Sequence, residues 1–77
     1  MDTYTTITNR LLSLLEEKRF SIHGLATESG VPPSTIKNIL YGKSKNPGIV
    51  TLKMLCDGLG ISIIDFFNVK EFEEIED

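Results

Sequence analysis

The sequence predicts an all-α protein, a compact bundle of five short helices. Apolar residues recur every three to four positions along most of the chain, which is the helical period. Gly and Pro interrupt that period at Gly30-Val31-Pro32, at Gly42 and at Gly60. A chain of 77 residues forms one domain with a modest core. Because Cys and His each occur once, a disulfide scaffold and a zinc-finger site are excluded.

The first helix is predicted to begin near Thr5 or Thr6 and to end at Lys18 or Arg19. Its apolar residues share one face, so we expect this helix to pack on the core. The inward positions are Ile7, Leu11, Leu14 and Leu15. The positions predicted to point outward are Asn9, Arg10, Glu16 and Glu17.

The stretch from Ser21 to Gly42 is predicted to form two short helices joined by a tight turn. Ser21 suits the N-cap of the first helix, and Pro33 suits the first turn of the second, where no N–H group is needed. Counting from Ile22, the fifth residue is small, which allows close helix crossing, and the ninth is Gly, which ends a helix at positive φ. Apolar residues at the fourth, tenth, fifteenth and eighteenth places bury the inner faces: Leu25, Val31, Ile36 and Ile39.

This spacing is the pattern of the helix-turn-helix, and the flanking phrases resemble the lambda-repressor-like, Cro-type family, also called the XRE family. The resemblance covers residues 7–68 and includes LLEEKRFS before the motif, YGKSKNP after it and TLKMLCDGLGISIIDFF at the end. It implies a sequence-specific DNA-binding transcriptional regulator whose partner is double-stranded DNA.

Two further helices are predicted after the motif. The fourth begins at Ile49 or Val50, ends at Gly58 and turns Leu52, Leu55, Cys56 and Leu59 inward. The fifth, Ile63 to Asn68, is capped by Ser62. Residues 1–69 then form the DNA-binding domain, and residues 70–77 form an acidic tail or an amphipathic helical extension. The high density of charge in residues 70–77 also permits disorder.

The resemblance implies that the helix from Pro33 to Tyr41 lies in the major groove and reads base edges. Four outward positions in its N-terminal half match those that the family uses: Pro33, Ser34, Lys37 and Asn38. The amide of Asn38 can pair with adenine, Lys37 can donate to guanine or to a phosphate, and Ser34 can bond to several bases. Pro32 stands where a capping Ser or Thr is common, so this helix is predicted to lack a side-chain cap.

A second set of residues is predicted to contact the phosphate backbone. The start of the second helix offers free N–H groups to an anion, and the loop after the third helix carries lysines. The predicted phosphate contacts are Ser21, Ile22, His23, Tyr41, Lys43, Ser44 and Lys45. Two roles remain open for Tyr41: its hydroxyl can form a hydrogen bond to a phosphate, or its ring can pack beneath the loop.

The formal charge of −3 argues at first against DNA, but the charge is uneven along the chain. Five acidic residues fall within residues 71–77, which leaves eight basic against six acidic residues in 1–70. Residues 29–56 contain four lysines and no acidic residue. A basic face on an acidic protein is therefore compatible with the sequence.

Two functions from different classes remain open at this stage. The first is the DNA-binding regulator, expected to be a homodimer because one short helix reads few bases. The second is a protein-interaction module on the same fold, an antitoxin or adaptor that binds a partner through its acidic C-terminal segment. An enzyme is not expected, since no nucleophile–base pair or metal cluster is present, and no cofactor is expected either. Without an apolar run of membrane-spanning length or a signal peptide, we expect a cytoplasmic protein.

Overall fold

The computed structural model describes residues 1–43 and 45–77. In these ranges it is all-α, as predicted, and measures 33 × 24 × 21 Å. Its helices are α1 (Thr3–Lys18), α2 (Ile22–Ser29), α3 (Pro33–Leu40), α4 (Ile49–Leu59) and α5 (Ile63–Phe67). A 3-10 helix, Lys70–Glu74, follows α5.

The start of α1 differs from the prediction. The helix begins at Thr3, before the predicted Thr5 or Thr6, because the Asp2 carboxylate accepts a hydrogen bond from the N–H of Thr5 at 2.7 Å and acts as N-cap. The predicted inward residues of α1 are all buried. Arg10, predicted to point outward, instead lies half-buried over α5. Its guanidinium donates to the carbonyl oxygens of Phe66 at 2.8 Å and Asp65 at 2.9 Å.

The turn between α2 and α3 follows the predicted capping chemistry. The Ser21 hydroxyl accepts from the N–H of Gly24 at 2.9 Å, and Gly30 ends α2 at φ 75°. As predicted, α3 begins at Pro33 without a side-chain hydrogen bond from Pro32. The predicted apolar positions of this motif are buried: Leu25, Val31, Ile36 and Ile39.

Helix α4 packs across α2 at very close range. A Cβ atom added to Gly58 would lie 2.8 Å from the Cβ of Ser29 and 2.9 Å from its Cα, so only glycine fits this crossing. The predicted inward residues of α4 are all buried. Gly60 ends the helix at φ 76°, and the Ser62 hydroxyl caps α5, both as predicted.

The C-terminal segment folds back onto the domain as a 3-10 turn, not as a longer α-helix. The Phe72 ring packs edge-on against Phe67, with ring centroids 4.9 Å apart. The N–H of Glu76 donates to the Met1 carbonyl oxygen at 3.0 Å, and the Asp77 carboxylate accepts from the N–H of Thr3 at 2.7 Å. This segment therefore closes against the beginning of α1.

Candidate nucleic-acid interface

The outer face of α3 carries the predicted base-contacting residues. Ser34, Lys37 and Asn38 are exposed and lie at positions i, i+3 and i+4, so they share one helical face. Pro33 is half-buried beside them. The opposite face of α3 is buried through Ile36, Ile39 and Leu40. Burial of one side thus presents three polar side chains together on the other.

The C-terminal end of α3 is held by α1. The Tyr4 hydroxyl donates to the Ile39 carbonyl oxygen at 2.7 Å, and the Thr8 hydroxyl approaches the same oxygen at 3.4 Å. Gly42 follows with φ 86°, and the N–H of Lys43 donates to the Asn38 carbonyl oxygen at 3.0 Å. These bonds satisfy carbonyl groups that a helix end leaves free. They also fix the orientation of the polar face relative to α1.

The N-terminus of α2 forms a second part of the site. Ser21 and His23 are exposed, while Ile22 is half-buried against the core. The first-turn N–H groups of a helix have no partner within the helix, so those of Ile22 and His23 can donate to an anion. The Ser21 hydroxyl accepts from Gly24 and keeps its own proton for a further acceptor.

The loop after α3 supplies cationic and phenolic groups. Lys43 and Lys45 are exposed, and Tyr41 is 67% exposed. This exposure favours a phosphate contact of Tyr41 over packing of its ring beneath the loop. The predicted phosphate contact of Ser44 lies outside the described residues.

Lys18 and Arg19 were not among the predicted site residues. Both are exposed, and Phe20 alone separates them from Ser21, the N-cap of α2. Arg19 ends α1 in the left-handed conformation, with φ 58°, a region that a residue other than glycine rarely adopts. The sequence could have indicated this pair, since two consecutive basic residues lie close to a helix start that was predicted to contact phosphate.

Acidic side chains lie next to a lysine of the loop after α3, on the side that faces α1. Asp2, Asp77 and Lys45 line one open groove. The Thr5 hydroxyl and N–H hold the pKa of Asp2 below its usual value, and the positive charge of Lys45 adds to this lowering. In the same way, hydrogen bonds from Thr3 lower the pKa of Asp77. Lys45 thus lies beside the acidic C-terminal segment at one edge of the site.

Two other kinds of feature are absent from residues 1–43 and 45–77. No helix in this part of the chain is both long and apolar enough to cross a membrane. The same residues hold no group of three or more His, Cys, Asp or Glu side chains that could bind a metal ion.

Helices α2 and α3 form a tight pair, and α3 turns a polar face outward. This is the architecture of helix-turn-helix DNA-binding domains. Comparison with known protein families supports this assignment, since the family model of the Cro/C1-type HTH DNA-binding domain matches residues 10–71. The chain belongs to this Cro/C1-type family, and DNA is the partner that the family defines.

A solved structure gives the same fold. The crystal structure of the prophage Lp1 protein 11 superposes with a TM-score of 0.81 at 33% sequence identity. The alignment covers 97% of this chain and 100% of that one. No curated protein gave a significant match to the sequence.

Proposed function

We propose that this protein is a transcriptional regulator that reads a specific DNA sequence with α3 in the major groove. The observation that carries the proposal is the shared exposed face of Ser34, Lys37 and Asn38. An asparagine amide matches the donor and acceptor edge of adenine, and a lysine matches the acceptors of guanine. Pro33, at the edge of this face, offers apolar contact to a thymine methyl group.

Phosphate contacts orient α3 in this proposal. The N-terminus of α2 with Ser21, Ile22 and His23 donates to one stretch of backbone, and Lys18 and Arg19 add positive charge beside it. The loop after α3, with Tyr41, Lys43 and Lys45, contacts another stretch. Such contacts fix the register of the protein on the duplex and carry no sequence information themselves.

We further propose that two copies bind together. A helix of eight residues reads only a few base pairs, and half-sites on one side of a duplex repeat about every 34 Å. The protein therefore reads two half-sites as a homodimer.

The test of base reading is selection of binding sites from a random duplex pool, followed by affinity measurements. Ser34→Ala and Asn38→Ala should weaken binding to the selected site by roughly 1–3 kcal/mol and leave binding to unrelated DNA nearly unchanged. Ser13→Ala and Asn9→Ala on α1 are matched controls, since both residues are exposed and line a groove beside Val69 and Glu71. Equal losses on both DNAs would contradict base reading by α3.

The phosphate assignment has a separate readout in the salt dependence of binding. Joint replacement of Lys43 and Lys45 by Ala should weaken binding to every sequence and reduce the log–log salt slope by roughly 0.9 per lost phosphate contact. Joint replacement of Lys53 and Lys70 removes the same charge elsewhere and should leave the slope near that of the wild type. An unchanged slope in the loop variant would place these lysines away from the backbone.

Capture of a protein partner by the C-terminal segment receives less support. Its apolar residues Phe72 and Ile75 are both half-buried, and Phe72 packs on the aromatic rings of its own domain. A segment engaged in this way offers a partner mainly its acidic side chains.

A further inference from the structure

Two carboxylates lie in one open groove with Lys45, a lysine of the loop proposed to contact phosphate. Asp2 at the start of α1 and Asp77 in the C-terminal segment line this groove with Lys45, and we call these two residues the acidic pair. Hydrogen bonds from Thr5 are the main cause of the lowered pKa of Asp2, and the positive charge of Lys45 adds to the lowering. A nearby opposite charge favours the charged form of a carboxyl group. Lys45 and Asp2 therefore attract each other across the groove.

Hydrogen bonds hold both members of the acidic pair at the groove. The Asp77 carboxylate accepts from the N–H of Thr3 at 2.7 Å and from the Thr3 hydroxyl at 2.5 Å. The Asp2 carboxylate accepts from the N–H of Thr5 at 2.7 Å. Hydrogen bonds to an ionised acceptor are about twice as strong as those between neutral groups, so the carboxylates stay in place when a phosphate approaches. Their negative charge is a fixed feature of the folded chain.

Folding brings the acidic pair beside a loop that has no acidic residue near it in sequence. Residues 29–56, which contain the loop, include none. Asp2 and Asp77 come from opposite ends of the sequence, and Asp77 reaches the groove because the C-terminal segment folds back onto the start of α1. The two negative charges that face Lys45 thus come from outside the basic part of the chain.

We propose that the acidic pair competes with DNA phosphates for Lys45 and thereby limits the affinity of this protein for DNA. The proposal rests on the function proposed above, in which Lys45 contacts the phosphate backbone. A carboxylate attracts the same ammonium group as a phosphate does, and it repels the phosphate itself. Lys45 therefore loses part of its attraction to the acidic pair when it neutralises a phosphate. Because phosphate contacts carry no sequence information, this autoinhibition acts on every DNA sequence alike.

Other acidic side chains of the C-terminal segment lie away from Lys45. Glu74 lines a pocket with Met1 and Thr6, and within the described part of the chain this pocket includes no residue of the loop after α3. Glu73 is exposed in the same 3-10 turn, and it is not among the described residues that line the groove at Lys45. Loss of charge at Glu73 and Glu74 changes the net charge as much as loss at the acidic pair does. The two pairs of residues therefore separate a local effect at Lys45 from a general effect of net charge.

Coulomb's law sets the size of the expected inhibition. In water at low salt, two unit charges about 8 Å apart change an equilibrium constant by about twofold. Two carboxylates together then give roughly fourfold. Salt screens these charges, since the Debye length is about 10 Å at 0.1 M and about 3 Å at 1 M. The inhibition should therefore be largest at low salt and disappear at high salt.

The first test measures binding of the full chain to a fluorescent duplex of unrelated sequence at low salt. The double variant Asp2→Asn/Asp77→Asn removes both charges, while each asparagine keeps an oxygen that accepts the same hydrogen bonds and caps a helix as well as aspartate does. Its fold should therefore persist, which circular dichroism checks, and it should bind roughly fourfold more tightly than the wild type. Glu73→Gln/Glu74→Gln is the matched control and should gain less than about twofold. Equal gains in the two double variants, or no gain from the acidic pair, would overturn the proposal.

The second test repeats these measurements in chains that carry Lys45→Ala. Competition requires the ammonium group, so neutralising the acidic pair should then gain no more than the control does. In chains that keep Lys45, neutralising the acidic pair should steepen the log–log salt slope by up to about 0.9, because Lys45 then neutralises one more phosphate. A larger gain that survives in Lys45→Ala, or an unchanged slope, would overturn the proposal. Both tests use unrelated DNA, so a failure of α3 to read bases would contradict the proposed function without altering these outcomes.

Discussion

The crossing of α2 and α4 leads to a sharp prediction for Gly58→Ala. In an unobstructed helix this change would raise stability by about 0.5–1 kcal/mol, because alanine loses less backbone entropy than glycine. Here the new methyl group would overlap the Cβ, Cα and backbone nitrogen of Ser29, at 2.8–2.9 Å. Two of these three atoms belong to the backbone, so relief requires movement of α2 itself.

The magnitude follows from the two opposing effects. Overpacking of a well-packed interior costs about 1–3 kcal/mol, and backbone atoms as neighbours place this site in the upper part of that range. After subtraction of the gain in helix propensity, we expect Gly58→Ala to lower the free energy of unfolding by about 1–2 kcal/mol. For a domain of this size the midpoint of thermal unfolding should fall by roughly 5–15 °C.

Urea titration and thermal unfolding, both followed by circular dichroism, measure this loss. Gly24→Ala is the matched control, since its new methyl group would meet only side-chain atoms, the Ser21 hydroxyl oxygen at 3.1 Å and the Phe20 ring edge at 3.4 Å. We expect Gly24→Ala to stay within about 0.5 kcal/mol of the wild type. A Gly58→Ala variant as stable as the wild type would refute the close crossing of α2 and α4.

Two further variants test how α1 is tied to the rest of the domain. Tyr4→Phe removes the hydroxyl that donates to Ile39, so it should lower the free energy of unfolding by about 1 kcal/mol in urea titration, and an unchanged value would mean that this bond contributes nothing to stability. Hydrogen bonds from Thr3 hold the pKa of Asp77 below its usual 3.8, so the stability they add is present above that pH and is lost as the pH falls through the lowered pKa. Unfolding of Asp77→Asn should therefore depend less on pH below 3.8 than unfolding of the wild type, and parallel pH profiles would show that Asp77 is not linked to folding.

Local patterns predicted the helices of this protein well because each one is encoded by its own residues. Apolar spacing set the inward face of α1 and α4, and capping chemistry set the turn at Gly30 and the start of α5 at Ser62. Capping chemistry also predicted that α3 lacks a side-chain cap at Pro32, since proline has no side-chain acceptor. These features depend on residues within one or two turns of each other, so one sequence suffices to infer them.

The early start of α1 has a local cause that the prediction missed, the cap that Asp2 provides to Thr5. The other differences in the fold arise from contacts between residues that are distant in sequence. Asp77 hydrogen-bonds to Thr3, 74 residues earlier in the sequence, and Arg10 hydrogen-bonds to carbonyl groups of α5, more than 50 residues later. No periodicity in the sequence records such pairs. The tail was ambiguous for the same reason, since the packing of Phe72 on Phe66 and Phe67 decides its conformation. Within the candidate site, residue types and spacing gave the exposed polar face of α3, while the support from Tyr4 and Thr8 became visible only in three dimensions.

The dependence of α3 on α1 has a consequence for amide hydrogen exchange. A helix of eight residues without a side-chain cap is too short to persist in water by itself, so its order comes from the packing of its buried face and from the Tyr4 hydroxyl at its far end. Its innermost amides should therefore exchange only when the whole bundle opens, at the rate of the most protected core amides. The surface proposed to contact DNA would then be present only in the fully folded chain. Conditions that partly unfold the protein would therefore reduce the number of binding-competent molecules without lowering the affinity of each one.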